Sequence, residues 1–544
     1  MGKEASPSGR EVTQVTADVV VLGCSLPGVV AAHKLRKKFG DSMDILVLDL
    51  GQRRLPSRYN VTFQAADDEP LTLTEELKER LKDTQIGKYA CEFDIPLPLV
   101  IISPQSTTAD DNSLVKLFQY QNGTTVVCPD NYHDFSYLNF VERFELNQYQ
   151  NLLDESMISL FSCKNASAES ARQKLLYYDR TTMEEHICSC LLFHTSRELM
   201  RLAVRLVCGA APAAVSLLFY LHNLRRTHSV KNSLDGDNYM HREKLLGYCR
   251  KRITSKLLAN IDEIVEVAMD ITKIRSYSNQ QVILETMRGD TKYVCKLVAM
   301  ALRPDQLNGI NVDERLLSST EKVDVARAIA MTKGRVRRFQ IQYEDFFWRD
   351  SGYSGDILSM KGPIIWAIEK PKLSASDCVE KSAALVGYLH MKENVHASWE
   401  SKEAVVDQLV QMFGPKAANP TRYTEKEIMD VYIPQSGDFV PLREMMTEQN
   451  PRFLEWSAFD VYADGDVMAS LDAGNRAYVH LMHCLRPQAA AYDDVSALQD
   501  PTGICASPFG TWPYRLNYML AVQVTVLAAA VVVGVKLART YLKR

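Results

Sequence analysis

Val19-Val20-Val21-Leu22-Gly23-Cys24-Ser25-Leu26-Pro27-Gly28, followed by Ile45-Leu46-Val47-Leu48-Asp49-Leu50, decides the fold. From Ala17 to Cys24 the chain reads as a buried parallel strand, with Val19-Val20-Val21-Leu22 following Asp18. A glycine turn ends it, and Val29–Lys38 reads as a helix. The second strand, Ile45–Leu50, carries an acid at Asp49. Strand, glycine turn, helix, strand and an acid about twenty residues on is the layout of a dinucleotide-binding βαβ unit. The helix N-terminus offers N–H groups and a positive dipole end to a pyrophosphate. Asp49 stands where a carboxylate bonds ribose hydroxyls. Gly23, Ser25, Gly28 and Asp49 are therefore the candidate cofactor-binding residues. Ser25 departs from the pattern, because it adds a Cβ and a hydroxyl where the pyrophosphate passes close to the backbone. A Rossmann-type unit emptied of its nucleotide stays open as a reading.

The other end of the chain is as distinctive. No charged residue occurs from Leu516 to Val535, and Arg515, Lys536, Arg539, Lys543 and Arg544 flank that run. A helix of about twenty residues spans roughly 30 Å, the hydrocarbon thickness of a bilayer. The expectation is a single-pass tail anchor at 516–535 with a basic tail at 536–544. A cytosolic body would hang from it through a linker at 491–515. Moderate hydropathy and flanking base favour the mitochondrial outer membrane, with the endoplasmic reticulum as the alternative.

At 544 residues the chain exceeds one ordinary core, so two or more domains are expected. Net charge is −4, which points away from nucleic acid. The 12 cysteines lack paired spacing, Cys188 and Cys190 being the one close pair, so reduced thiols are expected. His480 and His483 with Cys484 have helical i, i+3 spacing but no visible further ligand, and no metal site is expected. Val204–Leu224 is strongly apolar, but Arg205 and Pro212 inside it predict a buried helix pair rather than a membrane span.

Later segments carry a resemblance. Tyr178-Asp179-Arg180-Thr181-Thr182-Met183, Val215-Ser216 with Leu218 and Leu221, and Ala299-Met300-Ala301-Leu302-Arg303-Pro304 recur in order. Phe346-Phe347-Trp348-Arg349 and Ala473-Gly474-Asn475-Arg476-Ala477 follow them. Together these segments resemble the flavin-dependent monoamine oxidases. The resemblance implies an α/β + α fold: a discontinuous Rossmann-type, FAD-binding-like domain, a mixed substrate-type domain, and the C-terminal transmembrane helix. The FAD-binding-like domain is expected at 17–80, 225–316 and 425–490, and the substrate-type domain at 81–224 and 317–424, after a polar tail at 1–16. The resemblance also suggests a homodimer.

Against that family the chemistry looks stripped. Counting back from Tyr432-Ile433-Pro434 puts Ile428 where covalent members attach flavin through a cysteine, and isoleucine forms no thioether. The two tyrosines that cage the amine fall on Met429 and Asp466. A lysine that holds water near the flavin falls on Arg338, and a pocket glutamine falls on Arg226. Trp456 stands where a glycine makes room for the cofactor. These positions predict a catalytically inactive, membrane-tethered binding or regulatory scaffold for an unidentified protein partner, with no cofactor. The alternative is a divergent amine oxidase with non-covalent FAD, deaminating amines oxidatively.

Overall fold

A strand buried on both faces belongs in the middle of a parallel sheet, and Val19–Leu22 lies there. In the computed structural model its sheet is parallel throughout, in the order Leu454–Glu455, Leu297–Met300, Val19–Leu22, Ile45–Asp49, Val265–Val267. The structure describes residues 13–50, 85–95, 114–129, 131–161, 168–227, 231–234, 249–268, 271–278, 280–289, 291–370, 383–390, 400–447, 451–461 and 467–489. The helix expected at Val29–Lys38 spans Leu26–Phe39. It starts earlier because Pro27 lies in the first turn, where the missing N–H has no intrahelical partner to lose.

Side-chain alternation divides the core of this domain. Val19, Val21 and Val47 face the helices Leu26–Phe39 and Val467–Leu485, while Val20, Leu22 and Leu48 face the opposite side. The two helices touch through Gly474, where an added Cβ would stand 2.6 Å from the Pro27 carbonyl oxygen and from Val30 Cβ. The helix Gln85–Glu92 joins this core, and Tyr89 Oη donates to Asn475 Oδ1 at 3.3 Å. That segment had been assigned to the substrate-type domain. A second sheet runs Thr13–Thr16, Thr291–Cys295, Gln281–Thr286, Ile271–Ser278, Asn311–Val312. Thr13–Thr16 was expected to be polar tail. It is a strand because Thr291–Cys295 supplies a parallel partner in register.

The other domain is built on a seven-stranded sheet: Arg422–Ile433, Thr332–Tyr343, Ala383–Leu389, Ile364–Glu369, Tyr353–Ser359, Val115–Gln119, Thr125–Cys128. The boundary expected at 424/425 falls inside its first strand. The charges of this strand are paired across to its neighbour: Arg337 with Glu425, and Arg335 with Glu427 at 3.3 Å. One face carries the helices Phe140–Phe161, Ala168–Arg180, Met183–Cys190, His194–Cys208 and Leu217–Thr227. Val204–Leu224 is thus a buried helix pair turning at Pro212. The other face carries Glu400–Phe413. Phe346–Arg349 forms a corner in which Trp348 Nε1 and Arg349 Nε and Nη2 donate to Glu369, at 2.7–3.0 Å. The anchor at 516–535 lies outside the described residues, and no described helix is long and apolar enough to cross a membrane.

Asp179 ties the helical layer to the end of the strand Arg422–Ile433. Its buried carboxylate accepts from Ser216 Oγ at 3.1 Å and from the Val440 N–H at 3.0 Å, and its carbonyl accepts from Gly437 and Ser436. Burial pushes its pKa up to about 6, against the pull of those hydrogen bonds.

Two predictions follow from the packing. Gly474→Ala is expected to lower unfolding stability by about 1–3 kcal/mol, because backbone and Val30 must move. Gly309→Ala, whose Cβ would meet only a carbonyl at 3.5 Å, serves as control in the same chemical denaturation series and is expected to change little. For Asp179 the folded pKa lies above the unfolded one, so its charge weighs on the fold above pH 6 and is relieved as pH falls toward 4. Asp179→Asn should therefore gain stability relative to wild type by about 2 kcal/mol more at pH 7.5 than at pH 4. Denaturant midpoints at the two pH values measure that difference.

Candidate functional site

The first strand sits between Ile45–Asp49 on one side and Leu297–Met300 on the other, so the strand order reverses there. Ligands of open α/β sheets bind beyond the carboxyl ends of the strands at such a point. Gly23 makes the turn at that end with φ of +105°, and a Cβ on it would stand 2.3 Å from the Ala301 carbonyl oxygen. Gly28 lets the helix press on the sheet, since its Cβ would meet Ala301 Cβ at 2.3 Å. Both glycines are therefore required by geometry. Ser25 is the N-cap of the 14-residue helix, extended at φ −67° and ψ 155°. No acid lies in the first turn of this helix to compete with an anion.

Ser25 makes no side-chain cap, and among the described residues its Oγ has no hydrogen-bond partner although the residue is only 8% exposed. A buried hydroxyl left without a partner costs about 1–3 kcal/mol. An oxygen-rich ligand at the helix N-terminus would remove that cost. The serine read from sequence as an obstruction is thus a donor placed beside the N–H groups of the first turn. Asp49 ends the adjacent strand, held by its carbonyl accepting the Ala268 N–H at 2.8 Å. Gly23, Ser25, Gly28 and Asp49 form one edge, and they fit the pyrophosphate and ribose of a dinucleotide.

The remaining expected positions lie elsewhere. Arg338 is buried, opposite Tyr388 and Lys426 in the seven-stranded sheet, on the face of Val336 toward the helical layer. Ile428 pairs with Val336, and Met429 with Arg335, on the neighbouring strand. Their side chains lie outside the described residues, as does that of Arg226 in the helix Leu217–Thr227 and the whole of Asp466. Trp456 was read as filling the space of a cofactor. Its ring lies instead in the core on the far side of the parallel sheet from the helix Leu26–Phe39, edge-on to Phe459, with Nε1 donating to Glu321 Oε1 at 3.3 Å. It leaves the glycine turn free. His480 Nδ1 faces Glu455 Oε1 at 3.2 Å and Ser457 Oγ at 3.0 Å in a buried cluster, and no metal-ligand group occurs among the described residues.

One constellation escaped the sequence reading. Just past the carboxyl end of Leu297–Met300, Asp305 accepts from Tyr432 Oη at 2.6 Å, Lys333 Nζ at 3.0 Å and Arg303 Nε at 3.3 Å. Burial works to raise the Asp305 pKa, but the Tyr432 hydroxyl and the Arg303 guanidinium hold it below its ordinary value. The carboxylate therefore stays ionised and joins the parallel sheet to two strands of the other domain. Arg303 and Tyr432 both stand in segments already singled out, but 127 residues separate Asp305 from Tyr432 and nothing local pairs them.

No family model matches the chain. In sequence it is similar to a probable flavin-containing monoamine oxidase A of Dictyostelium discoideum, with 26% identity over 269 residues, covering 48% of this chain and 56% of that protein. The matched stretch thus spans little more than half of that relative. In structure it is similar to cyclohexylamine oxidase from Brevibacterium oxydans IH-35A, with a TM-score of 0.60, 18% identity, and coverage of 86% of this chain and 98% of the other. A putrescine oxidase solved with putrescine gives a TM-score of 0.59 at 14% identity, covering 86% and 99%. These neighbours show the fold. The expectation of a protein without a cofactor is corrected by this kinship, which points to FAD. The chain has the fold of the flavin amine oxidases and is related to the flavin monoamine oxidase family.

Proposed function

We propose that this chain is a divergent FAD-dependent amine oxidase that deaminates amines oxidatively. The observation that carries the reading is the edge formed by Gly23, Ser25 and Gly28, where a buried hydroxyl with no partner among the described residues stands at the N-terminus of a long helix at the switch point of a parallel sheet. Ser25 Oγ and the first-turn N–H groups would hold the pyrophosphate, and the Asp49 carboxylate would accept from the ribose. Ile428 forms no thioether, so the flavin would be held by contacts alone. When bound, a flavin supplies a two-electron acceptor for the amine and returns those electrons to dioxygen as hydrogen peroxide.

Amine oxidation needs the unprotonated amine. A buried guanidinium disfavours an ammonium ion nearby, so Arg338 would favour the neutral form of a substrate on its face of the sheet. The ion cluster around Asp305 supports the reading from the other side, since it fixes the strand carrying Ile428 and Met429 to the end of the parallel sheet. The uncharged run 516–535 supports a membrane tether, and its moderate hydropathy favours the mitochondrial outer membrane.

The intact protein, purified in detergent, is expected to show flavin absorbance and to release free FAD on acid precipitation. Ser25→Glu places a carboxylate against the pyrophosphate and should cut the flavin content at least about tenfold. Peroxide release should appear on addition of a panel of mono- and polyamines. A colourless protein that takes up no added FAD would sink the proposal and favour a binding scaffold.

A further inference from the structure

The helix Met183–Cys190 lies on the outer side of the helical layer, fixed at its start by a capping box between Thr182 and Glu185. Two of its side-chain pairs have i, i+4 spacing, which puts each pair on one face. On the first, Cys188 Sγ donates to Glu184 Oε1 at 3.3 Å. Arg201 binds the same carboxylate, its Nε donating to Oε2 at 2.9 Å, and that bond holds the Glu184 pKa low. The Cys188 S–H is thus directed to a carboxylate rather than to an imidazole, and Arg201 Nη2 also approaches the sulfur at 3.5 Å.

On the second face, Cys190 Sγ lies 3.7 Å from His186 Nε2, and His186 Nδ1 lies 2.8 Å from Tyr149 Oη. Burial lowers the His186 pKa, so the ring is neutral near pH 7. Burial first, and the neighbouring Cys190 second, raise that of Tyr149, so its hydroxyl stays protonated and serves as a partner for Nδ1. In the tautomer that carries its proton on Nδ1 and donates it to Tyr149 Oη, Nε2 presents its lone pair to the cysteine. Cys190 is half-buried, packed against the helical core on one side and open on the other. Nucleophile, base and a third group that fixes the base is the arrangement that activates a thiol.

We propose that Cys190 is a peroxide-reactive thiol, with His186 as its base and Tyr149 as the residue that positions the ring. The oxidant is hydrogen peroxide, the by-product that amine oxidation would release beside this layer. His186 Nε2 takes the thiol proton. The sulfur then attacks one peroxide oxygen, the S–O bond forms as the O–O bond breaks, and the departing hydroxide takes the proton back from the imidazolium as water. One thiol and one peroxide give one sulfenic acid and one water. Cys188 does not compete, because its proton is held by Glu184.

The full-length protein is exposed to added hydrogen peroxide with dimedone, and labelling at each cysteine is followed by peptide mass spectrometry. Because the peroxide is added, the result does not depend on whether the protein oxidises amines. Exposed Cys91 is the internal reference. Cys190 is expected to label about tenfold faster than Cys91 in the wild-type protein, within the range of general-base assistance. Folded His186→Gln should bring it to the Cys91 rate, Tyr149→Phe should lower it in part, and Cys188→Ser should leave it unchanged. Equal wild-type labelling of Cys190 and Cys91 overturns the proposal whatever the variants do, as does an undiminished Cys190 rate in folded His186→Gln.

Discussion

The close approach of backbone to backbone around the first turn governs this fold. Gly23 lies under the Ala301 carbonyl, Gly28 lies on the Ala301 methyl, and Gly474 brings the last helix onto Pro27 and Val30. At each contact a single additional carbon would have to displace main chain or a β-branched neighbour, which interiors packed at crystal density resist. Three segments far apart in sequence thereby meet within van der Waals reach of one helix start. That meeting fixes where the N–H groups of the first turn point. It leaves the Ser25 hydroxyl buried with no partner among the described residues.

Charge sets the register of the second domain. Its longest strands carry arginine and glutamate in register, and the Asp305 carboxylate gathers a tyrosine, a lysine and an arginine at the seam with the parallel sheet. Such groups add specificity more than net stability, since desolvation offsets much of their attraction. They fix which residue of the strand Arg422–Ile433 comes to rest beside the parallel sheet, and so how the two domains meet.

The parallel sheet was legible because burial on both faces demands continuous apolar strands, and Val19–Leu22 and Ile45–Asp49 have no polar interruption before Asp49. Thr13–Thr16 was not legible, since a polar edge strand exists only through its partner 278 residues away at Thr291. The boundary expected at 424/425 cuts the strand Arg422–Ile433, whose partners at Thr332–Gln342 lie outside any local window. At the site, the two glycines could be read directly from their spacing. For Ser25 and Trp456, position along a motif does not tell which way a side chain points. One is a buried donor with no partner among the described residues, and the other packs in the core on the far side of the sheet from the helix Leu26–Phe39.

The Asp179 knot bears on how this chain can be made. The helices that it steadies are complete by residue 227, but the groups that satisfy its carboxylate and carbonyl come from residues 436–440. The helix Val467–Leu485, which packs on the parallel sheet, arrives later still. During translation both halves must therefore wait, partly formed, until most of the polypeptide has left the ribosome, with long-range pairings as the slow steps. Over that interval the nascent chain is a natural client for chaperones, and its vulnerability to aggregation is set by its topology rather than by its final stability.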